Sequence, residues 1–126
     1  MNGAGIIKVL LLEDDIDDYR RIARKLRNQR HHFAIDWAKT LATAIDQLER
    51  HPYDIVLADL AVSDSAGLQT VFQLRKLCGQ TPIIAITSQD DEDVEKEILG
   101  VGAQDYLVKG ELCGRTIVRA ILHAVQ

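Results

Sequence analysis

A chain of 126 residues is the length of a single domain and is long enough to bury a core. Hydrophobic residues at 47% and charged residues at 27% are globular proportions, and a net charge of −4 with acids and bases mixed argues against a nucleic-acid-binding surface. No apolar run approaches the ~20 residues of a membrane helix, and residues 1–5 have neither the basic nor the apolar part of a signal peptide, so a cytoplasmic protein without membrane contact is expected.

The predicted elements alternate along the chain. Residues 6–12 (IIKVLLL) are a short apolar, β-branched run, the pattern of a strand buried on both faces, and Glu13-Asp14-Asp15 follows at once. Ile16, Tyr19, Ile22, Ala23 and Leu26 then recur at helical spacing, with Arg20, Arg21, Arg24 and Lys25 outside the stripe. A short strand is predicted over 33–37. Leu41, Ala44, Ile45 and Leu48 mark a second helix, with Thr40 as N-cap and His51-Pro52 as its stop. The third strand, 54–58 (DIVLA), runs into Asp59. A loop holding Asp64, Ser65 and Gly67 leads to a third helix carrying Leu68, Val71, Phe72 and Leu74 to Leu77, and Gly79 fits its end.

The fourth strand, 82–86 (PIIAI), runs into Thr87. The acids of 88–93 read as a helix N-terminus, where the dipole favours negative charge. Val94, Ile98 and Val101 are the expected buried stripe of that helix, and Gly100 and Gly102 end it. Residues 105–108 (DYLV) make a fifth strand that runs into Lys109, and Ile117, Ala120, Ile121 and Ala124 mark the last helix. Cys78 and Cys113 lack CxxC spacing and read as reduced packing or surface residues. The result is βαβαβαβαβα: an α/β, single three-layer, doubly wound domain with a five-stranded parallel sheet and five helices. Periodicity does not give the strand order.

In an open parallel sheet, ligands bind beyond the carboxyl ends of the strands. That rule gathers Glu13, Asp14, Asp59, Thr87 and Lys109 at one edge. Clustered carboxylates repel one another unless a cation or a proton compensates. Mg²⁺ accepts one or two carboxylates, waters and phosphate oxygens. A hydroxyl and an ammonium beside it suit a phosphoryl group. Each residue also has a plainer reading: acids at a strand end facing water, Thr87 capping the next helix, Lys109 simply pairing with the acids.

The sequence resembles a response-regulator receiver domain, the CheY-like phosphoacceptor module of two-component signalling. The resemblance spans about residues 7–124. It rests on Leu12-Glu13-Asp14-Asp15, on Asp59 after Ile55-Val56-Leu57-Ala58, on Asp64-Ser65-Ala66-Gly67, on Ile86-Thr87-Ser88 and, most strongly, on residues 102–110 (GAQDYLVKG). It implies a flavodoxin-like fold of strand order 2-1-3-4-5, with residues 1–126 forming one receiver domain (core about 6–125) and no output domain in this chain. It makes Asp59 the phosphoacceptor, Asp14 a direct Mg²⁺ ligand (Mn²⁺ as a substitute), Glu13 a ligand through water, and the backbone carbonyl of Ala61 a further ligand. Thr87 becomes the switch hydroxyl, Tyr106 the switch aromatic and Lys109 the phosphate-contacting lysine.

The implied activity is a chain that catalyses its own phosphorylation and dephosphorylation rather than turnover of a free substrate. Its implied partners are a sensor histidine kinase or histidine phosphotransfer protein and an unidentified output protein or domain, with no direct nucleic-acid contact. The resemblance also admits a phosphorylation-dependent homodimer. The face expected to switch is the fourth helix, fifth strand and fifth helix. Ser63 and Gly110 depart from the prolines common at those positions. A pseudo-receiver, binding proteins without phosphorylation, is the alternative.

Overall fold

A computed structural model describes residues 5–126. The start of the expected domain and most of the segment read for a leader lie outside the described residues. In chain order the elements are β1 (Ile6–Leu12), α1 (Ile16–Arg27), β2 (His32–Ala38), α2 (Leu41–Arg50), β3 (Ile55–Asp59), β4 (Ala61–Val62), β5 (Ser65–Ala66), α3 (Leu68–Cys78), β6 (Ile83–Thr87), α4 (Glu92–Gly100), β7 (Asp105–Val108), a 3₁₀ turn (Lys109–Glu111) and α5 (Gly114–Val125). Five strands form one parallel sheet in the order β2-β1-β3-β6-β7. With β4 and β5 set aside, this is the expected 2-1-3-4-5 order.

Alternation along β1 divides the core. Ile7, Val9 and Leu11 face a layer completed by Ile22 and Leu26 of α1 and Ile117 and Ile121 of α5. Leu10 and Leu12 face the opposite layer, with Leu41 and Ala44 of α2 and Leu74 of α3. A third cluster, Leu60, Val71, Ala85, Ile98, Ala103 and Tyr106, seats α4. Both faces of the sheet are covered, which explains why the central strands β1, β3 and β6 read as nearly continuous apolar runs, whereas the edge strand β2 alternates. Among the described residues no helix is long and apolar enough to cross a membrane.

The helix ends follow the sequence chemistry. Asp15 caps α1 by accepting from the N–H groups of Asp17 and Asp18, and the Thr40 hydroxyl accepts from Thr43 N at the start of α2. Asp91 caps α4, so part of the 88–93 acid run satisfies free N–H groups. At the opposite edge of the sheet, Arg75 of α3 donates to the carbonyls of Gly79, Thr81 and Gly102.

Three packing details differ from the sequence reading. The loop after Asp59 contains a small hairpin, β4 paired with β5. It is too short to carry a periodic signal. On α3 the buried residues are Thr70, Val71, Leu74 and Cys78, and Phe72 and Leu77 are exposed. The inward phase is set by the 71/74/78 line, so Phe72, one residue round, meets Lys76, whose Nζ lies 4.5 Å from the ring centre. On α4 only Ile98 is buried and Val94 is exposed, because this nine-residue helix touches the core near its C-terminal end.

Candidate functional site

The strand register builds the site. Leu12 of β1 stands opposite Ala58 of β3, so Glu13 and Asp59 leave the sheet at the same level. Asp59 pairs with Ile86, which puts Thr87 one step beyond it on the next strand. Thr87 in turn pairs with Val108, which puts Lys109 one step beyond the end of β7, at the start of the 3₁₀ turn. With Asp14 next to Glu13, five polar residues from positions 13 to 109 therefore share one edge.

Three of them form a carboxylate cluster: ligand oxygens of Glu13, Asp14 and Asp59 all lie within 4.8 Å of one another. Glu13 is fully buried and Asp59 is 4% exposed, while Asp14 is half-buried. Lys109 closes the cluster. Its Nζ lies 3.0 Å from Glu13 Oε2, 3.1 Å from Asp59 Oδ2 and 2.8 Å from Asp18 Oδ2. Asp59 Oδ1 accepts from Ala61 N at 3.1 Å. Glu13 Oε1 accepts from Asp15 N at 3.2 Å, whereas its Oε2 is buried and receives no aligned hydrogen bond.

The electrostatics follow from that crowding. Burial, with the Asp59 carboxylate close by, pushes Glu13 up from the ordinary 4.5 to about 8 against the opposing pull of Lys109. Burial works against the Lys109 ammonium, but Asp18, Glu13 and Asp59 outweigh it and hold its pKa above the ordinary lysine value. One ammonium is thus set against four carboxylates. The donor set is all oxygen, and one buried carboxylate oxygen lacks a hydrogen bond. Both features fit a hard divalent cation.

Thr87, next along the sheet edge from Asp59, and Tyr106, in the cluster that seats α4, are linked through Gln89. The Thr87 hydroxyl accepts from Gln89 N at 3.2 Å, and the Tyr106 hydroxyl donates to Gln89 O at 2.9 Å. Tyr106 is buried, at 8% exposure, so the ring is turned inward. The peptide between Lys109 and Gly110 is trans, as are all those described.

The loop after Asp59 is held by hydrogen bonds although Ser63 takes the place of a ring. Asp64 accepts from Leu41 N at 2.8 Å and Ala42 N at 3.0 Å, adding a second cap to α2. Those two bonds hold its carboxyl below the usual range. The Ser65 hydroxyl meets the buried Thr70 hydroxyl at 2.9 Å.

Two contributors escaped the sequence reading. Asp18, a residue of α1 not singled out from the sequence, makes the shortest contact with Lys109. Its signal was its place one turn before the buried Ile22. Trp37 donates from its indole N–H to the Glu13 carbonyl at 2.6 Å and stacks on Tyr19 with ring centres 4.5 Å apart. Nothing local in the sequence marks that pair as a wall of the site.

The sequence profile of the response regulator receiver domain matches residues 9–120. The swarming motility regulation protein RssB of Serratia marcescens is 31% identical over 103 residues, 82% of this chain and 46% of that protein. The chain thus spans less than half the length of this relative. Among solved structures, a putative response regulator from Chloroflexus aurantiacus J-10-fl superposes with a TM-score of 0.85 at 21% identity, covering 94% of this chain and 97% of that one. The receiver domain of the sensor histidine kinase PA1611 from Pseudomonas aeruginosa PAO1, described with a magnesium ion coordinated in the active site cleft, superposes with a TM-score of 0.81 at 23% identity, covering 94% and 97%.

Proposed function

Because this chain belongs to the response regulator receiver domain family of two-component signalling, we propose that it is a phosphoacceptor switch with Asp59 as the acceptor. The observation that carries the reading is the placement of the Asp59 carboxylate, nearly buried among Glu13, Asp14 and Lys109 at the carboxyl edge of the sheet. A carboxylate there needs compensation, and Lys109 alone provides one positive charge.

The chemistry is transfer from a phosphohistidine of a sensor kinase or phosphotransfer protein, or from a small acyl phosphate. An Asp59 oxygen forms a bond to phosphorus as the bond to the donor breaks, and the product is an acyl phosphate. Asp59 Oδ1 is oriented by the Ala61 N–H, and Lys109 stands 3.1 Å from Oδ2, close enough to meet a phosphoryl oxygen. Glu13, Asp14, Asp59 and the Ala61 carbonyl would hold Mg²⁺, or Mn²⁺ in its place. When bound, that ion neutralises charge on the carboxylates and on the transferring group.

The signal then passes through Gln89. A phosphoryl group adds up to about two negative charges and new acceptor oxygens. The Thr87 hydroxyl turns toward them and gives up Gln89 N, while Tyr106 still holds Gln89 O. The segment between β6 and α4 shifts, and with it the face formed by α4, β7 and α5. An output protein or domain reads that face, and a phosphorylation-dependent homodimer is one way to do so.

Incubation with Mg²⁺ and acetyl phosphate or phosphoramidate, followed by intact mass, tests the reading. The expected result is an adduct of roughly 80 Da that Asp59→Asn abolishes. A chain that takes no adduct from any donor is instead a constitutive binding module of the same fold.

A further inference from the structure

Lys109 has an outer and an inner set of partners, and the division falls along the metal site. Glu13 and Asp59, on its inner side, belong to the three-carboxylate cluster. Asp18, in the first turn of α1, does not, yet it makes the shortest contact, 2.8 Å from Nζ. The Asp18 carboxylate is doubly engaged: Oδ2 takes Lys109 and Oδ1 takes Arg21 Nη1 at 3.1 Å. Its side chain is about one-quarter exposed, and the Lys109 side chain about one-fifth. The pair closes the rim of the site, and the neighbouring Asp17 on the same turn is exposed.

We propose that Asp18 is the positioning residue for Lys109, holding the ammonium on the outer side of the site so that Glu13 and Asp59 can turn to a divalent cation. This inference rests on the phosphoacceptor reading above. Its logic is competition for the same oxygens. Three acceptors surround Nζ, and an ammonium has three donors. If the two inner carboxylates take up a metal, Lys109 loses two partners and keeps the third. Without Asp18 its only carboxylates are the two the metal needs, and the ammonium settles over them. It then opposes the cation by charge and by occupation. Asp18 also adds one negative charge beside the site without offering a ligand to it.

Isothermal titration of the full chain with MgCl2 tests this on four proteins: wild type, Asp18→Asn, Asp17→Asn and Asp18→Glu. Asp17→Asn removes the same charge from the same helical turn but leaves Lys109 its partner, so it reports the bulk electrostatic effect alone. The expected result is a Kd raised roughly fivefold or more in Asp18→Asn, a small change in Asp17→Asn, and recovery in Asp18→Glu. Equal effects of the two asparagine variants overturn the inference, because net charge then accounts for everything. So does a Kd in Asp18→Asn that matches wild type, or one that Asp18→Glu does not recover. Acetyl phosphate labelling of the wild type separates the two levels of argument. A wild type that binds Mg²⁺ and takes the adduct sustains the phosphoacceptor reading whatever Asp18 does. A wild type that does neither removes both.

Discussion

Glu13→Gln is expected to make the metal-free protein more stable, and only above a certain pH. Glu13 is fully buried, and burial beside Asp59 raises its carboxyl from the ordinary 4.5 to about 8. A group whose pKa is higher folded than unfolded contributes its full stability below the unfolded value and loses it as pH rises through the folded one. For Glu13 that window runs from 4.5 to about 8. At pH 7 the chain has crossed most of it, at ~1.4 kcal/mol per unit, which sets an upper figure of ~3 kcal/mol. Half-buried Asp14 opens the cluster toward water, and screening there reduces the cost to roughly 1.5–2 kcal/mol. Gln keeps the shape and can still accept from Asp15 N, so the substitution removes little besides the ability to ionise. For a domain of this size the gain is a Tm higher by roughly 6–8 °C at pH 7. The assay is thermal unfolding by circular dichroism in chelator at pH 5, 6, 7 and 8, for wild type and variant. The gap should open as pH rises. Excess Mg²⁺ should then stabilise wild type more than the variant. A gap that is the same at pH 5 and pH 8, or a variant that melts lower throughout, would show that Glu13 is not held under electrostatic stress.

Lys109→Met has the opposite sign. It leaves Glu13 and Asp59 buried without their cation, so Tm in chelator at pH 8 should fall by several degrees, with Mg²⁺ restoring part of it and the phosphate adduct lost. Gly102→Ala should cost roughly 2–3 kcal/mol in urea unfolding: the backbone there has φ of 120°, and a Cβ would overlap the Arg75 side chain. Asp64→Ala removes two hydrogen bonds from the start of α2. It should cost about 0.5–1 kcal/mol by the same measurement and speed amide exchange at Leu41 and Ala42.

The sheet could be read from the sequence because β1, β3, β6 and β7 are short, mostly apolar runs bounded by turn or cap residues, with β2 (HFAIDWA) the weaker, alternating edge strand. Residues 54–58 pass straight into Asp59 and 82–86 straight into Thr87, so the residues that gather at the carboxyl edge were marked by where the apolar runs stop. Their order in the sheet came from family resemblance, since nothing in the periodicity of β1 says that β2 and β3 flank it. The contacts that tie the edge together were less legible. Asp18 ends an acidic run at 13–18, and its place one turn before Ile22 says that it faces inward but not that it meets Lys109. Trp37 reaches Glu13 from another strand, and Asp64 reaches α2 across 22 residues. Such contacts depend on register and on crossover packing, neither of which leaves a local signal. Phe72 and Val94 show the converse: apolar residues at helical spacing that the true inward phase leaves outside.

Arg75 has a mechanical consequence. By gripping the carbonyls of Gly79, Thr81 and Gly102 it anchors the foot of α4 to the foot of α3. Near the carboxyl edge of the sheet, two side-chain hydrogen bonds, one to the Thr87 hydroxyl and one from the Tyr106 phenol, hold the Gln89 backbone ahead of α4. Nine residues of helix make a lever of about 13 Å. A tilt of ~10° about a fixed foot then carries the upper end by ~2 Å over that length and hardly moves the lower one. Whatever reads this domain through α4 should grip the half beginning at Glu92, where travel is greatest, and gain little from Gly100.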